Sequence, residues 1–295
     1  MATQEIDDNV FFLQGRNNGA YPFSNSLLIL GENSNVLIDA GIGKREIRKI
    51  SKKYDIDTVL ISHCHEDHIL CLKYILENTK VYIHVLDKEG VERIGYLQRI
   101  YGLGDSKYND LFNSFMLSLG YKEIKVRNVL KGGEIFDLGD VKVKVIHTPG
   151  HSAGHCCFLI EPYNIIFLAD IDLTSLGPWY GSIDGNIVDF KNSIKKILGY
   201  DIKIAISSHK GIFKTNIKNN IKKYLDKFKE RDRKILNQLK EKQTIDDLTK
   251  KALIYGKFPE PEEFYIIAER LMIEKHLKNL LQNKKIKREN GYYYV

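Results

Sequence analysis

"SHCHEDHILC", residues 62–71, sets three histidines and two acidic residues into six successive positions directly behind the apolar run "TVLI" at 58–61. The chain has nine histidines in 295 residues, so a third of them stand in this one stretch. "DTVLIS" reads as a strand, and residues two apart on an extended chain face the same way. His63 and His65 therefore offer both imidazoles to one metal ion. Asp67 and His68 fall where the strand gives way to a helix, and the turn aims them at a second position nearby. HxHxDH is accordingly a two-metal signature, unlike the closed tetrahedral Cys/His ligation of a zinc finger.

Further ligands stand at other strand ends. "VIHTPGHSAGH", 145–155, leaves an alternating strand and turns sharply at Pro149-Gly150, offering His147, His151 and His155. "FLAD" ends an apolar strand on Asp170, and "AISSHKG" ends another on His209.

In this order "HCHEDH", "TPGHSAGH", "LAD" and "SHKG" resemble the metallo-β-lactamase superfamily, on its glyoxalase II-like side, over roughly residues 9–211. The resemblance implies a mixed α/β (α+β) fold, a four-layer αββα sandwich with its site at one edge of two sheets. It implies that His63, His65 and His151 hold a first metal, that Asp67, His68 and His209 hold a second, and that Asp170 bridges them. His147 is expected to be structural, and His155 to orient a ligand or pack at a strand start. His84 and His276 are expected in structural or surface roles, and Cys64 to point away from the metals. Two divalent ions are the expected cofactors, zinc by default with iron or manganese also tolerated by an N/O site.

The expected chemistry is hydrolysis of a carboxylic ester, thioester or lactone by a metal-bridging hydroxide. Asp67 is the expected catalytic carboxylate, to orient the hydroxide or accept its proton. Ser62, Thr148 and Ser208 flank ligands and are candidates to support them. "DLTSLGPWYGSIDG", 172–185, carries the only tryptophan, and Trp179 and Tyr180 are the expected substrate-binding residues.

Departures from the pattern narrow the choice. Ile69-Leu70-Cys71 stands where relatives commonly place small glycines, and "IDLT" lacks the tyrosine of quorum-quenching lactonases. His65 occupies the position of a glutamate in the flavodiiron branch. An endoribonuclease of single-stranded RNA remains the alternative enzyme, because the tail resembles the winged-helix-like end of lactamase-like hydrolases. A non-catalytic metal- or nucleic-acid-binding regulator is the other alternative.

Two regions differ in charge. Residues 1–211 hold 24 Lys+Arg against 26 Asp+Glu, and 212–295 hold 21 against 12. The first is read as the core domain, with a helical insertion at 87–120 that leaves both a lid and a dimer face open. The second is read as a small, basic, helical, winged-helix-like domain, with RNA as a candidate partner besides a small-molecule substrate. Successive strands "NVFFLQG", "SLLILG" and "NVLIDAG" open the chain, and one helix is expected to run from His68 through "ILCLKYILEN". "DKEGVERIGYLQRIYGL" and "SKYNDLFNSFMLSLG" are expected as two helices broken near Gly102 to Asp105. Strands resume at "EIFDLGDVKVKVIHTPG". Thr244 with Asp247 forms a capping-box start, and Asn290-Gly291 forms a hairpin turn. No run approaches the ~18 apolar residues of a membrane span, the acidic opening is unlike a leader, and no CxxC occurs among the four cysteines. A cytoplasmic protein is expected, with no membrane partner and homo-oligomerisation left open.

Overall fold

The computed structural model describes residues 3–75, 78–104 and 108–295. Seven strands form a first sheet in chain order: β1 (Thr3–Asp7), β2 (Val10–Leu13), β3 (Ser26–Leu30), β4 (Asn35–Ile38), β5 (Thr58–Ile61), β6 (Lys80–His84) and β7 (Asn128–Leu130). β1 to β4 pair antiparallel, and β4 to β7 parallel. The second sheet is made of β8 (Ile135–Asp137), β9 (Lys142–His147), β10 (Cys156–Glu161), β11 (Ile165–Phe167), β12 (Ile204–Ser207) and β13 (Gly211–Phe213). Its order is β13-β12-β11-β10-β9-β8, antiparallel except between β11 and β12. A hairpin of β14 (Lys287–Glu289) and β15 (Tyr292–Tyr294) stands apart, turning at Asn290-Gly291 as expected.

The helices are α1 (Lys44–Lys53), α2 (Glu66–Ile69), α3 (Lys88–Glu92), α4 (Ile94–Ile100), α5 (Tyr108–Leu119), α6 (Ile187–Leu198), α7 (Ile217–Gln238), α8 (Ile245–Lys250) and α9 (Glu262–Gln282). Alternation along the strands builds the layers. In β10, Cys156, Phe158 and Ile160 enter the core between the sheets, while Cys157 and Leu159 face α6 and α7 on the outside. In β4, Val36 and Ile38 face the other sheet, and Leu37 faces the core that holds α1 and α5. Strands buried on both faces read as continuous apolar runs, which is why "NVLI" and "TVLI" do. Three apolar cores between four layers make the expected αββα sandwich.

Several elements differ from expectation. The helix expected from His68 through residue 78 is a single turn, α2, followed by a 3-10 turn at Leu72–Tyr74; residues 76–77 lie outside the described residues. The expected helix over 87–103 is two, α3 and α4, split by extended backbone at Arg93. The break expected near Gly102 to Asp105 has Gly102 and Gly104 at positive φ, whereas Asp105 and the next two residues lie outside the described residues. β1, β7 and β13 were not expected. β13 carries the second sheet to Phe213, two residues past the boundary read at 211.

The basic region packs closely onto the core. α7 turns Ile217, Ile221, Tyr224, Phe228 and Ile235 inward at helical spacing, into one cluster with Phe190, Ile194 and Ile197 of α6. The capping box at Thr244 forms as expected: Asp247 N–H donates to Thr244 Oγ1 at 3.2 Å, and Thr244 N–H to Asp247 Oδ2 at 3.0 Å. Among the described residues no helix is long and apolar enough to cross a membrane.

Candidate metal centre

The C-terminal ends of β4, β5, β9, β11 and β12 meet at one edge of the sandwich, and each hands on a chemically active side chain. Behind β5, His63 Nε2 lies 3.1 Å from His65 Nδ1. The turn after β9 brings in His151, whose Nε2 lies 3.0 Å from His63 Nε2 and 2.8 Å from His65 Nδ1. Gly150 makes that turn possible: at φ +132 it lies so near α6 that a Cβ would stand 2.3 Å from Phe190.

A second group forms around α2. Asp67 Oδ2 is 3.4 Å from His68 Nε2 and 3.3 Å from His209 Nε2. Asp170 reaches both groups. Its Oδ2 is 3.3 Å from His151 Nε2, and its Oδ1 is 3.2 Å from His68 Nε2 and 3.5 Å from His209 Nε2. The seven expected ligands are therefore together, three nitrogens in one group, three donors in the other, and a carboxylate spanning them.

These donors suit cations. His68 Nε2 and Asp170 Oδ1 are buried and, despite their short separation, have no hydrogen-bond partner of acceptable geometry among the described residues. The outer nitrogens of four of the imidazoles are held. His151 Nδ1 donates to the Trp179 carbonyl at 2.9 Å, and His209 Nδ1 to the Gly19 carbonyl at 2.7 Å, so each Nε2 turns its lone pair inward. His63 Nδ1 meets Ser62 Oγ at 3.0 Å, and His68 Nδ1 meets Asp39 Oδ2 at 2.7 Å.

Burial disfavours the charged forms of His63, His65 and His151 and lowers their pKa values. Burial also opposes charge on His68 and His209, but Asp67 and Asp170, with Asp39 added at His68, outweigh it and raise both. Asp170 is held well below the usual carboxylate range, because His209, His68 and His151 together overcome its burial. The second group thus draws positive charge to itself.

Asp39 is the chief supporting residue that sequence reasoning missed. It stands just after β4 at φ +60 and accepts from Ser62 N–H at 2.7 Å and Ser62 Oγ at 2.8 Å. Its signal was present: "NVLID" ends an apolar strand on a carboxylate, as "FLAD" does. His155 accepts from Asp170 N–H at 3.1 Å through Nε2, with its Nδ1 2.9 Å from Thr148 Oγ1. His147 is turned away, its Nε2 on the Ala153 carbonyl and its ring stacked on His84 at 4.0 Å. Ser208 Oγ is buried without a partner among the described residues, so it supports no ligand. Cys64 packs on Gly90, away from the centre.

Asp87, also unforeseen, ties two ligand loops together. It accepts from Cys64 N–H at 3.1 Å, Ser152 Oγ at 2.7 Å and Gly154 N–H at 2.6 Å.

Aromatic rings form the rim. The Trp179 ring lies 5.4 Å from that of His65 and 5.5 Å from that of His151, and its Nε1 donates to Tyr255 Oη at 2.7 Å. Tyr101 of the helical insertion lies 5.5 Å from the His65 ring. Glu66, inside the opening motif, accepts from Tyr21 Oη at 2.6 Å and from Tyr101 Oη at 2.5 Å. Tyr180 corrects an expectation: it is fully buried, stacked on Phe228 and bonded to His276 Nε2 at 2.6 Å, so it does not line the site. Of these two neighbours in the loop, Trp179 faces the ligands and Tyr180 the core under α7.

Among relatives, a metallo-beta-lactamase fold-containing protein of Sulfurisphaera tokodaii is 28% identical over 216 residues, 68% of this chain and 78% of that one. The atrochrysone carboxyl ACP thioesterase of Aspergillus fumigatus is 22% identical over 76% of this chain and 65% of its own length. The human acyl-coenzyme A thioesterase MBLAC2 is 23% identical over 64% of this chain and 69% of its own. A metallo-beta-lactamase family protein of Thermus thermophilus superposes with a TM-score of 0.73 at 19% identity, over 98% of this chain and 99% of that one. A beta-lactamase domain protein of Burkholderia ambifaria gives 0.75 at 17% identity, over 99% and 93%. Those structures share the fold through the C-terminal helices. Residues 21–209, which carry all seven clustered ligands, match the sequence profile of the metallo-beta-lactamase superfamily, and the chain belongs to that superfamily.

Proposed function

We propose that the chain is a hydrolase of thioesters that works at a dinuclear metal centre. The observation that carries this is Asp170, one oxygen turned to the His63-His65-His151 group and the other to the Asp67-His68-His209 group. Two divalent ions there, zinc by the nitrogen-rich donor set with iron or manganese also accepted, would polarise an acyl oxygen and acidify a water for attack near pH 7. His63, His65 and His151 with Asp170 would hold the first, and Asp67, His68 and His209 with Asp170 the second. Asp67 is the carboxylate assigned to orient the attacking water and take its proton.

Trp179 and Tyr101 wall the space next to His65 and keep bulk water from the acyl carbon. The leaving group favours a thioester. The tyrosine hydroxyls of the rim, Tyr21 and Tyr101, are tied to Glu66, so a group that departs as a weak base is best served. A thiolate is a far weaker base than an alkoxide, so it leaves near neutral pH with little protonation, whereas an alkoxide does not. Thioesterase names among the relatives support the same class. A small acyl thioester is thus the proposed partner. All four cysteines are free and buried, which supports the cytoplasm as the proposed compartment.

The test is a metal-loaded preparation assayed against an acyl-coenzyme A, an acyl-pantetheine, an alkyl ester of the same acyl group, a lactone and single-stranded RNA, with and without chelator. The thioesters should turn over fastest and lose activity on chelation. RNA or lactone cleavage ahead of both thioesters would overturn the substrate class, and chelator-insensitive turnover would overturn the metal mechanism.

A further inference from the structure

We propose that helix α7 of the basic C-terminal region is a positioning element of the metal centre, and that Tyr224 and Arg231 are its positioning residues. The proposal rests on the metal-centre assignment above, and concerns how two of its ligands are aimed.

Tyr224 and Arg231 stand seven residues apart, two turns along one helix face, and both are buried. Tyr224 Oη donates to the backbone carbonyl of Asp170 at 3.1 Å. With Asp170 N–H held by His155, both backbone polar groups of the spanning carboxylate are fixed. Arg231 acts on the other group. Its Nη2 donates to the Leu176 carbonyl at 2.7 Å, and its Nη1 donates to the Pro178 carbonyl and to Tyr180 Oη, the latter at 2.9 Å. These acceptors bracket Trp179, whose own carbonyl takes the Nδ1 proton of His151.

The loop lies directly on the helix. A Cβ on Gly177, at φ +88, would stand 2.7 Å from Lys227 and 3.4 Å from Arg231. Donors and acceptors run in one consistent order: Arg231 N–H to Tyr180 Oη, Tyr180 O–H to His276 Nε2, and His276 Nδ1–H to Asp232 Oδ1 at 2.6 Å. His276, expected to be merely structural or exposed, anchors this chain from α9.

Among the described residues Arg231 makes no ion pair, and the acceptors it meets are two carbonyls and a phenol. Burying a guanidinium for stability alone is a poor bargain, since an apolar side chain fills such a place with no desolvation cost. A planar fork that fixes two carbonyls and a hydroxyl at once is suited to holding a loop in one geometry. That geometry sets the Trp179 carbonyl, and through it the direction of His151 Nε2.

Metal-stripped full-length chain is titrated with Co²⁺ alone, reading affinity by competition with a chromophoric chelator and geometry from the visible spectrum. Unfolding of the same metal-free samples is followed in urea. Tyr224→Phe and Arg231→Met should each weaken Co²⁺ binding about 10- to 100-fold, the usual effect of losing an outer partner of a ligand, and shift the spectrum. Arg231→Lys should recover part of the loss through a single carbonyl contact. Ile221→Val, a core change on the same helix, should lower stability and leave affinity unchanged. Wild-type affinity and spectrum in Tyr224→Phe and Arg231→Met would overturn the proposal, as would an equal loss in Ile221→Val. If Arg231→Met does not fold, Tyr224→Phe decides. A wild-type chain that takes up no Co²⁺ would instead remove the metal centre itself, and the proposal with it.

Discussion

Asp39 does for His68 what the Trp179 carbonyl does for His151. It engages Nδ1 at 2.7 Å and leaves Nε2 turned toward Asp67 and Asp170. Asp39→Ala would free that ring and strand the Ser62 donors, so metal affinity should fall about 10- to 100-fold, read by chelator competition. Asp87 gives a pH signature. Burial raises its pKa to about 6, only partly offset by the Ser152 hydroxyl and the N–H groups of Cys64 and Gly154. Because folding raises this pKa, its stabilising share is complete below about pH 4 and is lost as pH rises through about 6, a change of roughly 3 kcal/mol. Between pH 4 and 8 the wild type should lose about that much unfolding free energy relative to Asp87→Asn. A constant difference across the range would show that Asp87 does not carry this charge penalty. Trp179→Ala should raise KM for an acyl thioester roughly tenfold, about 1.4 kcal/mol of lost contact, in a steady-state assay. At this scale the ligands were legible because spacing and strand ends locate them. Tyr21, Tyr101 and Asp87 were not, since what gives them meaning lies 23 to 67 residues away in the chain.

Elements near the site bend to serve it, and that is where helical periodicity misleads. Apolar spacing after His68 suits a long helix, yet α2 stops after one turn because its backbone is claimed elsewhere. Ala40 N–H donates to the His68 carbonyl at 2.8 Å and Cys71 N–H to the Ala40 carbonyl at 3.1 Å, joining the segment to the loop after β4. α3 and α4 separate for a similar reason, since Glu123 Oε1 accepts from Ile94 N–H at 2.9 Å and caps a new helix there. Neither partner is visible in a local window. β1 was hidden by its acidic, mostly exposed composition, and β7 and β13 by being three residues long. The turn after β9 shows how tightly such a segment is fixed. Gly150→Ala would push a Cβ into Phe190 at a φ that side chains avoid, and should cost about 3 kcal/mol in urea unfolding while displacing His151. A loss under ~0.5 kcal/mol would mean that α6 yields to the added methyl.

Across the whole molecule, the two charge regions do not correspond to two cores. α7 carries an apolar face at Ile217, Ile221, Tyr224, Phe228 and Ile235, but nothing in a single sequence says what that face covers. In the structure it covers α6 and the outer side of the second sheet, in one cluster that runs from Ile146 to Tyr293. The excess lysines are what remains on the outer side of helices whose inner faces are already occupied. Removing residues 214–295 would strip partners from Phe190, Ile194, Ile197 and Ala205, and would take away Tyr224 and Tyr255, which hold the Asp170 carbonyl and the Trp179 indole at the centre. Each large apolar side chain returned to water costs about 1.5–3 kcal/mol, so half a dozen cost about 9–18 kcal/mol, as much as the ~5–15 kcal/mol by which a domain is stable. A chain ending at Phe213 should therefore lack a cooperative urea transition by circular dichroism and elute as aggregate. If it instead unfolds cooperatively as a monomer and binds Co²⁺ with wild-type affinity, the C-terminal region is a separable domain and the centre stands without it.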